Sequence, residues 1–549
     1  MSSTKPERLS AFVSFPSPYT QSLLVQALVS TLPSLSLSLA QFPEDQPPAL
    51  QWADYDLMSF DIPHKNPSKY LISSYIYRKA LIRKHQLHNT IITYLAKCSH
   101  RKIPSILSPL PEEPVGDGDG TDLLGGGAPK GWIVDLQFAD ELDEALMDDL
   151  YELDAGMRAN EGKEEGERRW WILKPGFADR AQGIRMFSTE EELRAIFEEF
   201  EPPSSDEEDD DGDEDEDEDE DEQESEDAQQ LAESGVDGMI DMLAKKAVEL
   251  GFNGEVDRDV DKEKYEDEEE GTGVMTSQLR HFVIQEYIPR PVLFDIAQIS
   301  GEPPSPLKGY KFHLRAYVLI TGAYTVHLAQ TMLALFSGSP YVPPKPKENG
   351  QVDLRPHLTN TCLQTDAYGA PAPPEELVKL FWELEGFSAL DCSSSPSSDG
   401  NYSYLHQGEV TKGWLDKTFA KVGDVVAETV KAGAECGSFG LQFMPNAFEI
   451  FGVDLILSFP PSTSKSTSLP IPTVTLLEFN ASPDFHQSGD RLRPKLLDMF
   501  KGVIRLSVAP FFGVETAEDE EKEKGEIQLG EERWGWRLVG KGEVRGSEW

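Results

Sequence analysis

Glu478 and Asn480 close the apolar run "TVTLLEFN" (473–480) with a carboxylate and an amide two positions apart. A strand repeats every two residues, so both side chains point to one face. Side by side at a strand's mouth, the two oxygens can hold a hard cation such as Mg²⁺. The run "FEIFGVDLILSF" (448–459) carries one acid, Asp454, where a carboxylate is costly unless paired or bound to a cation. If the two runs pair as an antiparallel hairpin, Asp454, Glu478 and Asn480 converge, and substrate phosphates can complete a magnesium shell. A plainer reading stays open: a strand fraying into a solvated loop, with Asp454 satisfied by backbone amides.

Phosphate binding also needs positive charge and a backbone that comes close. "WWILKPGFADRAQGIRMF" (170–187) offers both, with Lys174 at a strand end and Gly176 and Gly183 in the loop beyond. It is neither GxxxxGK[ST] nor GxGxxG after a first strand, so the P-loop and Rossmann readings lack their motifs. The HRD and DFG motifs of protein kinases are absent as well.

The elements that must position these residues alternate between strand and helix. A strand is expected at 9–15, then a helix through "YTQSLLVQALVSTL". Residues 70–97 read as one or two amphipathic helices whose interleaved basic residues form a solvated face. Further strands are expected at 170–176, running into a Lys-Pro-Gly turn, and at 281–294 with a turn, and two more about a Gly turn at 309–337. Helices are expected at 373–390, 410–436 and 491–507, and a hairpin at 448–479. This interleaving indicates an α/β (α+β) ligase-like core without internal repeats.

The chain of 549 residues is long enough for two or three packed modules. Its net charge is −48, of which residues 206–270 supply −28, with 33 acidic against 5 basic residues. Residues 206–222 are all Asp or Glu except Gly212, a run that cannot fold by itself. It reads as a solvated loop, or as a mimic of an acidic tail occupying the acceptor groove. No broad basic footprint exists, so direct nucleic-acid binding is not expected. Four scattered cysteines without a CxxC pair, no apolar secretory leader and no membrane-length apolar run point to a cytoplasmic protein without membrane attachment. The tail 515–549, with Trp534, Trp536 and Trp549, is charged, and its stretch 534–549 reads either as a partner-docking segment or as packing back on the domain.

The succession "WILKPGFADRAQGI", "FVIQEYIPRPVLF", "KFHLRAYVLI", "HLTNTCLQ", "FEIFGVDLIL" and "LLEFNASPDF" resembles, in order and spacing, the tubulin–tyrosine ligase family. The resemblance covers about residues 165–505, with a looser match over 1–100. It implies an ATP-grasp-like ligase core over 130–510, interrupted by an acidic insertion at 202–272, behind a smaller N-terminal α/β domain at 1–105. It further implies ATP and Mg²⁺ as cofactors. Lys174 and Gly183 would meet phosphate. Gln285, Tyr287 and Ile288 would form the hinge facing adenine. Lys311 and Arg315 would be a basic pair near the nucleotide and acceptor, and Thr359 and Asn360 would lie close to the reacting carboxylate. Asp454, Glu478 and Asn480 would be the magnesium ligands. The implied reaction joins a free amino acid of tyrosine or glutamate type to tubulin or another acidic protein tail through an acyl phosphate.

Three positions depart from the family pattern. "KFDxR" reads "KFHLR", with His313; "YLYREG" reads "HLAQTM", with Gln330 for an arginine; "QKYI" reads "QEYI", with Glu286. Each removes or reverses charge around an acidic acceptor. They favour a rival expectation: a catalytically weak scaffold in a cytoplasmic assembly. The "KFHLR" form is similar to fungal members of the family, one of which is linked to mRNA-processing bodies, making mRNA-decay factors expected partners.

Overall fold

The structure is a computed structural model describing residues 9–43, 45–110, 125–136, 141–176, 182–200, 281–300, 306–347, 350–360, 363–364, 372–393, 395–397, 401–460, 468–517 and 525–542. The expected acidic insertion at 202–272 lies outside the described residues. Among those described, no helix is long and apolar enough to cross a membrane.

The N-terminal part is a parallel sheet in the order β2-β1-β3-β4, built from β1 (Ser10–Ser14), β2 (Ser36–Ser38), β3 (Leu50–Ala53) and β4 (Leu71–Ile72). Helix α1 (Pro18–Thr31) begins where the Ser17 hydroxyl accepts from the Thr20 amide and Pro18 opens the first turn. After a short α2 (Asp61–Lys65), the segment expected to be helical from residue 70 begins instead as β4. It turns helical only at α3 (Lys79–Ile82) and α4 (Lys84–Arg101).

A second, antiparallel sheet has the order β5-β8-β6-β7, from β5 (Gly131–Asp135), β6 (Trp171–Pro175), β7 (Arg185–Phe187) and β8 (His281–Glu286). Alternation gives it two characters. Trp171, Leu173, Phe282 and Ile284 pack under the helices Leu142–Met147, Tyr151–Arg158 and Glu190–Glu199. Ile172, Lys174 and Gln285 are left to the opposite face.

The central sheet is formed by β9 (Tyr310–Thr321), β10 (Thr325–Pro340), β11 (Val378–Leu380), β14 (Phe448–Ser458), β15 (Thr473–Asn480), β16 (Glu532–Arg533) and β17 (Trp536–Lys541). Beside it lies a separate hairpin of β12 (Ser388–Cys392) and β13 (Tyr404–Glu409). The main order is β15-β14-β9-β10-β17-β16, with β11 also on β10, and all pairings are antiparallel. Gly322, at φ +60°, makes the tight turn between β9 and β10. On one face Leu314, Ala316, Val318 and Ile320 meet the helix Lys412–Cys436 and α4. On the other, Tyr317 and Leu319 meet the helix Arg493–Val503 and the N-terminal part.

Two expectations change here. Residues 373–390 form no single helix: a turn at Pro374–Leu377 gives way to β11, a 3₁₀ turn at Phe381–Leu384, and β12. Pairing with Leu333, Ala334 and Leu335 of β10 outweighs the local helical spacing. The charged tail contributes β16 and β17, and Trp536 is wholly buried with its indole N–H donating to the Met499 carbonyl at 3.0 Å. Gly502 allows this close approach, since a Cβ there would lie 2.4 Å from the Trp534 carbonyl oxygen and 2.6 Å from Trp536 Cδ1. Trp536→Ala is expected to lower stability by about 3–5 kcal/mol, read as a shifted denaturant midpoint. A change below about 1 kcal/mol would mean the strand is dispensable.

Candidate active site

Strand β9 sets the floor of the site. Lys311, His313 and Arg315 fall on the face that, two residues further on, carries Tyr317 and Leu319 into the core. The face is therefore apolar where it is covered and ionisable where it opens. Cross-strand pairing places Asp454 opposite both Arg315 and Glu478, and Gly452 opposite Asn480.

The register of β15 contains a bulge. Asp454 pairs with Glu478 and Leu455 with Leu476, so Leu477 has no partner. Without that extra residue, Glu478 and Asn480 would continue the face of Val474 and Leu476, which is packed in the core. The bulge turns both polar side chains to the cleft, and Leu477 borders it as well.

One cleft is bordered by Lys174, Gln285, Tyr287, Ile288, Lys311, Thr359, Asn360, Asp454, Glu478 and Asn480. Arg315 stands behind Asp454, its Nε and a terminal nitrogen donating to the two carboxylate oxygens at 2.5 and 3.0 Å. Gly183 is buried at φ +67° between the cleft residues Gln182 and Ile184. Ile172, Ile184, Leu358, Ile456 and Leu477 supply apolar wall, the surroundings a purine ring needs.

Lys174 and Lys311 are buried. Lys174 Nζ donates to Gln285 Oε1 at 2.8 Å, and burial pushes its pKa down to about 8 against the opposing pull of Glu478. Lys311 Nζ donates to the Tyr287 hydroxyl at 2.8 Å and sits 4.2 Å from that ring's centroid. Burial and the neighbouring Lys174 push Lys311 down to about 7. The Tyr287 hydroxyl also meets His357 Nδ1 at 3.0 Å. His313 Nδ1 is 2.5 Å from Thr359 Oγ1, and its Nε2 is 3.7 Å from Asp454 Oδ1. Burial lowers the His313 pKa. Asp454 is raised by burial but held below its ordinary range by Arg315 and His313.

Asn480 Nδ2 lies 3.3 Å from Asp454 Oδ2 and 3.5 Å from Glu478 Oε1. Turning the amide over presents its oxygen in the same place, giving two carboxylates and an amide oxygen, a hard donor set that suits Mg²⁺. Among the described residues no group of three or more His, Cys, Asp or Glu gathers as metal ligands would, so substrate oxygens and water would complete the shell.

One cation of the cleft escaped the sequence reading. Lys84, the first residue of α4, borders the cleft with Nζ 3.5 Å from Glu478 Oε2, although the basic residues of this segment were expected on a solvated face. A single lysine among many on an amphipathic helix carries no distinguishing signal. Gln330, expected where the family has an arginine near phosphate, is not at the cleft: its side chain donates to Glu532 of β16, and Trp382 donates to its carbonyl.

Residues 144–516 match the family described as tubulin-tyrosine ligase. A Schizosaccharomyces pombe protein named probable tubulin–tyrosine ligase is 30% identical over 93% of this chain and 94% of its own length. The Saccharomyces cerevisiae protein named probable tubulin–tyrosine ligase PBY1 is 29% identical over 90% of this chain, which spans about half (51%) of that relative. Among solved structures, the C-terminal domain of K. lactis Pby1 superposes with a TM-score of 0.51 at 24% identity, covering 93% of this chain and 97% of that one. That domain is described as an ATP-grasp enzyme interacting with the mRNA decapping enzyme Dcp2, and the likeness gives this chain the same fold.

Proposed function

The chain belongs to the tubulin-tyrosine ligase family, and from that membership we propose that it is an ATP- and Mg²⁺-dependent carboxylate–amine ligase. The observation that carries this reading is the meeting, in one cleft, of Lys84, Lys174 and Lys311 with Asp454, Glu478 and Asn480. The first set suits a triphosphate, and the second would hold the cation that neutralises its charge.

Ile172, Ile184 and Leu358 would hold the adenine, with the main chain of Tyr287 and Ile288 reading its edge. Lys174 and Lys311 bind the phosphates. Asp454, Glu478 and Asn480 would hold Mg²⁺, which supplies neutralisation of charge on the transferring phosphoryl group. Thr359 and Asn360, the former fixed by His313, flank the acceptor carboxylate. Its oxygen attacks the γ-phosphorus as ADP leaves, forming an acyl phosphate. The free amine of an amino acid then displaces phosphate, loses a proton and forms the amide. Positioning and charge neutralisation do the catalysis.

The acceptor is an acidic protein tail such as that of tubulin, the substrate written into the names of the yeast relatives. A second reading draws on the K. lactis domain, whose description couples an ATP-grasp fold to a decapping enzyme: the chain docks on mRNA-decay factors in the cytoplasm, with weak or no turnover. One assay separates them. Phosphate release is followed with Mg-ATP, purified tubulin and each amino acid in turn, and acceptor mass is read afterwards. Phosphate release that requires acceptor and one amino acid, with the matching mass gain, is expected of the ligase. Mg-ATP binding without modification by any amino acid would leave the docking role.

A further inference from the structure

Outside the cleft, one buried ion pair has no part in the chemistry above. Glu449 lies on β14, 3% exposed, on the face turned from the cleft. Arg78, just before α3, brings its Nε within 3.0 Å of Glu449 Oε1. The other Glu449 oxygen accepts from the Tyr75 amide at 3.0 Å. The guanidinium rests 4.1 Å from the centroid of the Tyr55 ring, and a terminal nitrogen donates to Ser74 Oγ at 2.7 Å. Burying two charges is expensive, and this chain does so where the residue before α3 meets β14.

Each partner of the pair lies a few residues along the chain from a residue of the cleft. Five positions along β14 from Glu449 stands Asp454, whose cross-strand neighbour is Glu478. Six positions along the chain from Arg78 stands Lys84, beyond the single turn of α3. Lys84 reaches back to Glu478 Oε2 at 3.5 Å. Main-chain bonds from Ile72 N to the Asn446 carbonyl and from Gln442 N to the Tyr77 carbonyl, at 3.1 and 3.0 Å, seat the same segment on the approach to β14. The ionic contact ties the residue before α3 to β14, while α3 itself lies against β15.

We propose that Arg78 and Glu449 are positioning residues: their pairing ties the chain just before α3 to β14, so that Lys84, at the start of α4, is presented to the phosphate end of the cleft. The inference rests on the nucleotide site proposed above. Neither residue touches nucleotide; the pair acts through Lys84.

The test is a mutant cycle on the full chain, read as Mg-ATP affinity by calorimetry at low temperature, with thermal melts alongside. Lys84→Ala is expected to weaken binding about tenfold, and Arg78→Met/Glu449→Gln, which removes both charges together, by about five- to tenfold. The triple variant should bind no more weakly than Lys84→Ala alone, because coupled residues are not additive. Tyr55→Leu, which removes only the ring beneath the guanidinium, should give a smaller loss that also vanishes in the Lys84→Ala background; it serves if the paired variant does not fold. Multiplying losses, or lowered melting temperatures with unchanged affinity, would overturn the positioning role and leave a merely structural pair. If the unaltered chain fails to bind Mg-ATP, the nucleotide site falls, and this role with it.

Discussion

Glu478→Gln is expected to abolish ATP turnover, by about a thousandfold or more, in a protein that folds normally. Removal of one preorganised charge partner from a phosphoryl-transfer site costs about two to three orders of magnitude, and here the lost carboxylate would also be a metal ligand. The substitution keeps side-chain shape on a residue that is only partly buried, so melting should stay within a few degrees. Asp454→Asn makes the contrast. It also removes a ligand, but strips Arg315 of its two-point partner inside the protein, leaving a buried cation uncompensated at a cost of about 3–5 kcal/mol. Both variants should lose phosphate release and Asp454→Asn alone should melt early. Turnover persisting in Glu478→Gln would remove that carboxylate from the metal set.

The second large effect concerns the buried lysines and pH. Lys174→Met should weaken Mg-ATP binding about a hundredfold, since hydrogen bonds from an ammonium to phosphate are among the strong ones. Burial pushes Lys174 down to about 8 and Lys311 down to about 7. A bound triphosphate favours both charged forms and draws protons back, so binding at pH 8.5 is expected to take up protons. Affinity should fall by up to tenfold per pH unit for each lysine above its free pKa. Calorimetry in buffers of different ionisation enthalpy measures the uptake, and Lys174→Met should reduce it; zero uptake in the unaltered protein would contradict the depressed values. The sign for folding is opposite. Between about 7 and 10.5 the unfolded lysines hold more protons than the folded ones, so nucleotide-free stability should rise with pH through that window.

Much of this site could be read from sequence for a physical reason. An acid within an apolar strand has few explanations, so Asp454 marks itself, and the period of two ties Glu478 to Asn480. The bulge at Leu477 leaves no such mark, because one leucine among apolar residues looks alike in register or out of it. Lys84 hid among other basic residues of its helix. The stretch 373–390 has helical spacing, yet its course is decided by β10, some 45 residues earlier, through pairing that local propensity cannot foresee. In the tail, Trp536 and Leu538 alternate with Arg537 and Val539 as a half-buried strand should, but heavy charge on both sides masked six residues of period two.

The seating of α1 has a consequence in time. Its apolar side packs against the helix Arg493–Val503, and the Tyr19 hydroxyl donates to the Gly489 carbonyl, 470 residues away along the chain. At about 5–20 residues per second, a ribosome takes roughly 25 to 95 seconds to travel between them. For that interval Leu23, Leu24, Ala27 and Leu28 emerge without their final cover. The nascent chain must therefore be sheltered by chaperones or wait in a loosely collapsed form. Slowed translation between codons 30 and 490 should raise aggregation of this protein more than the same delay placed after codon 510.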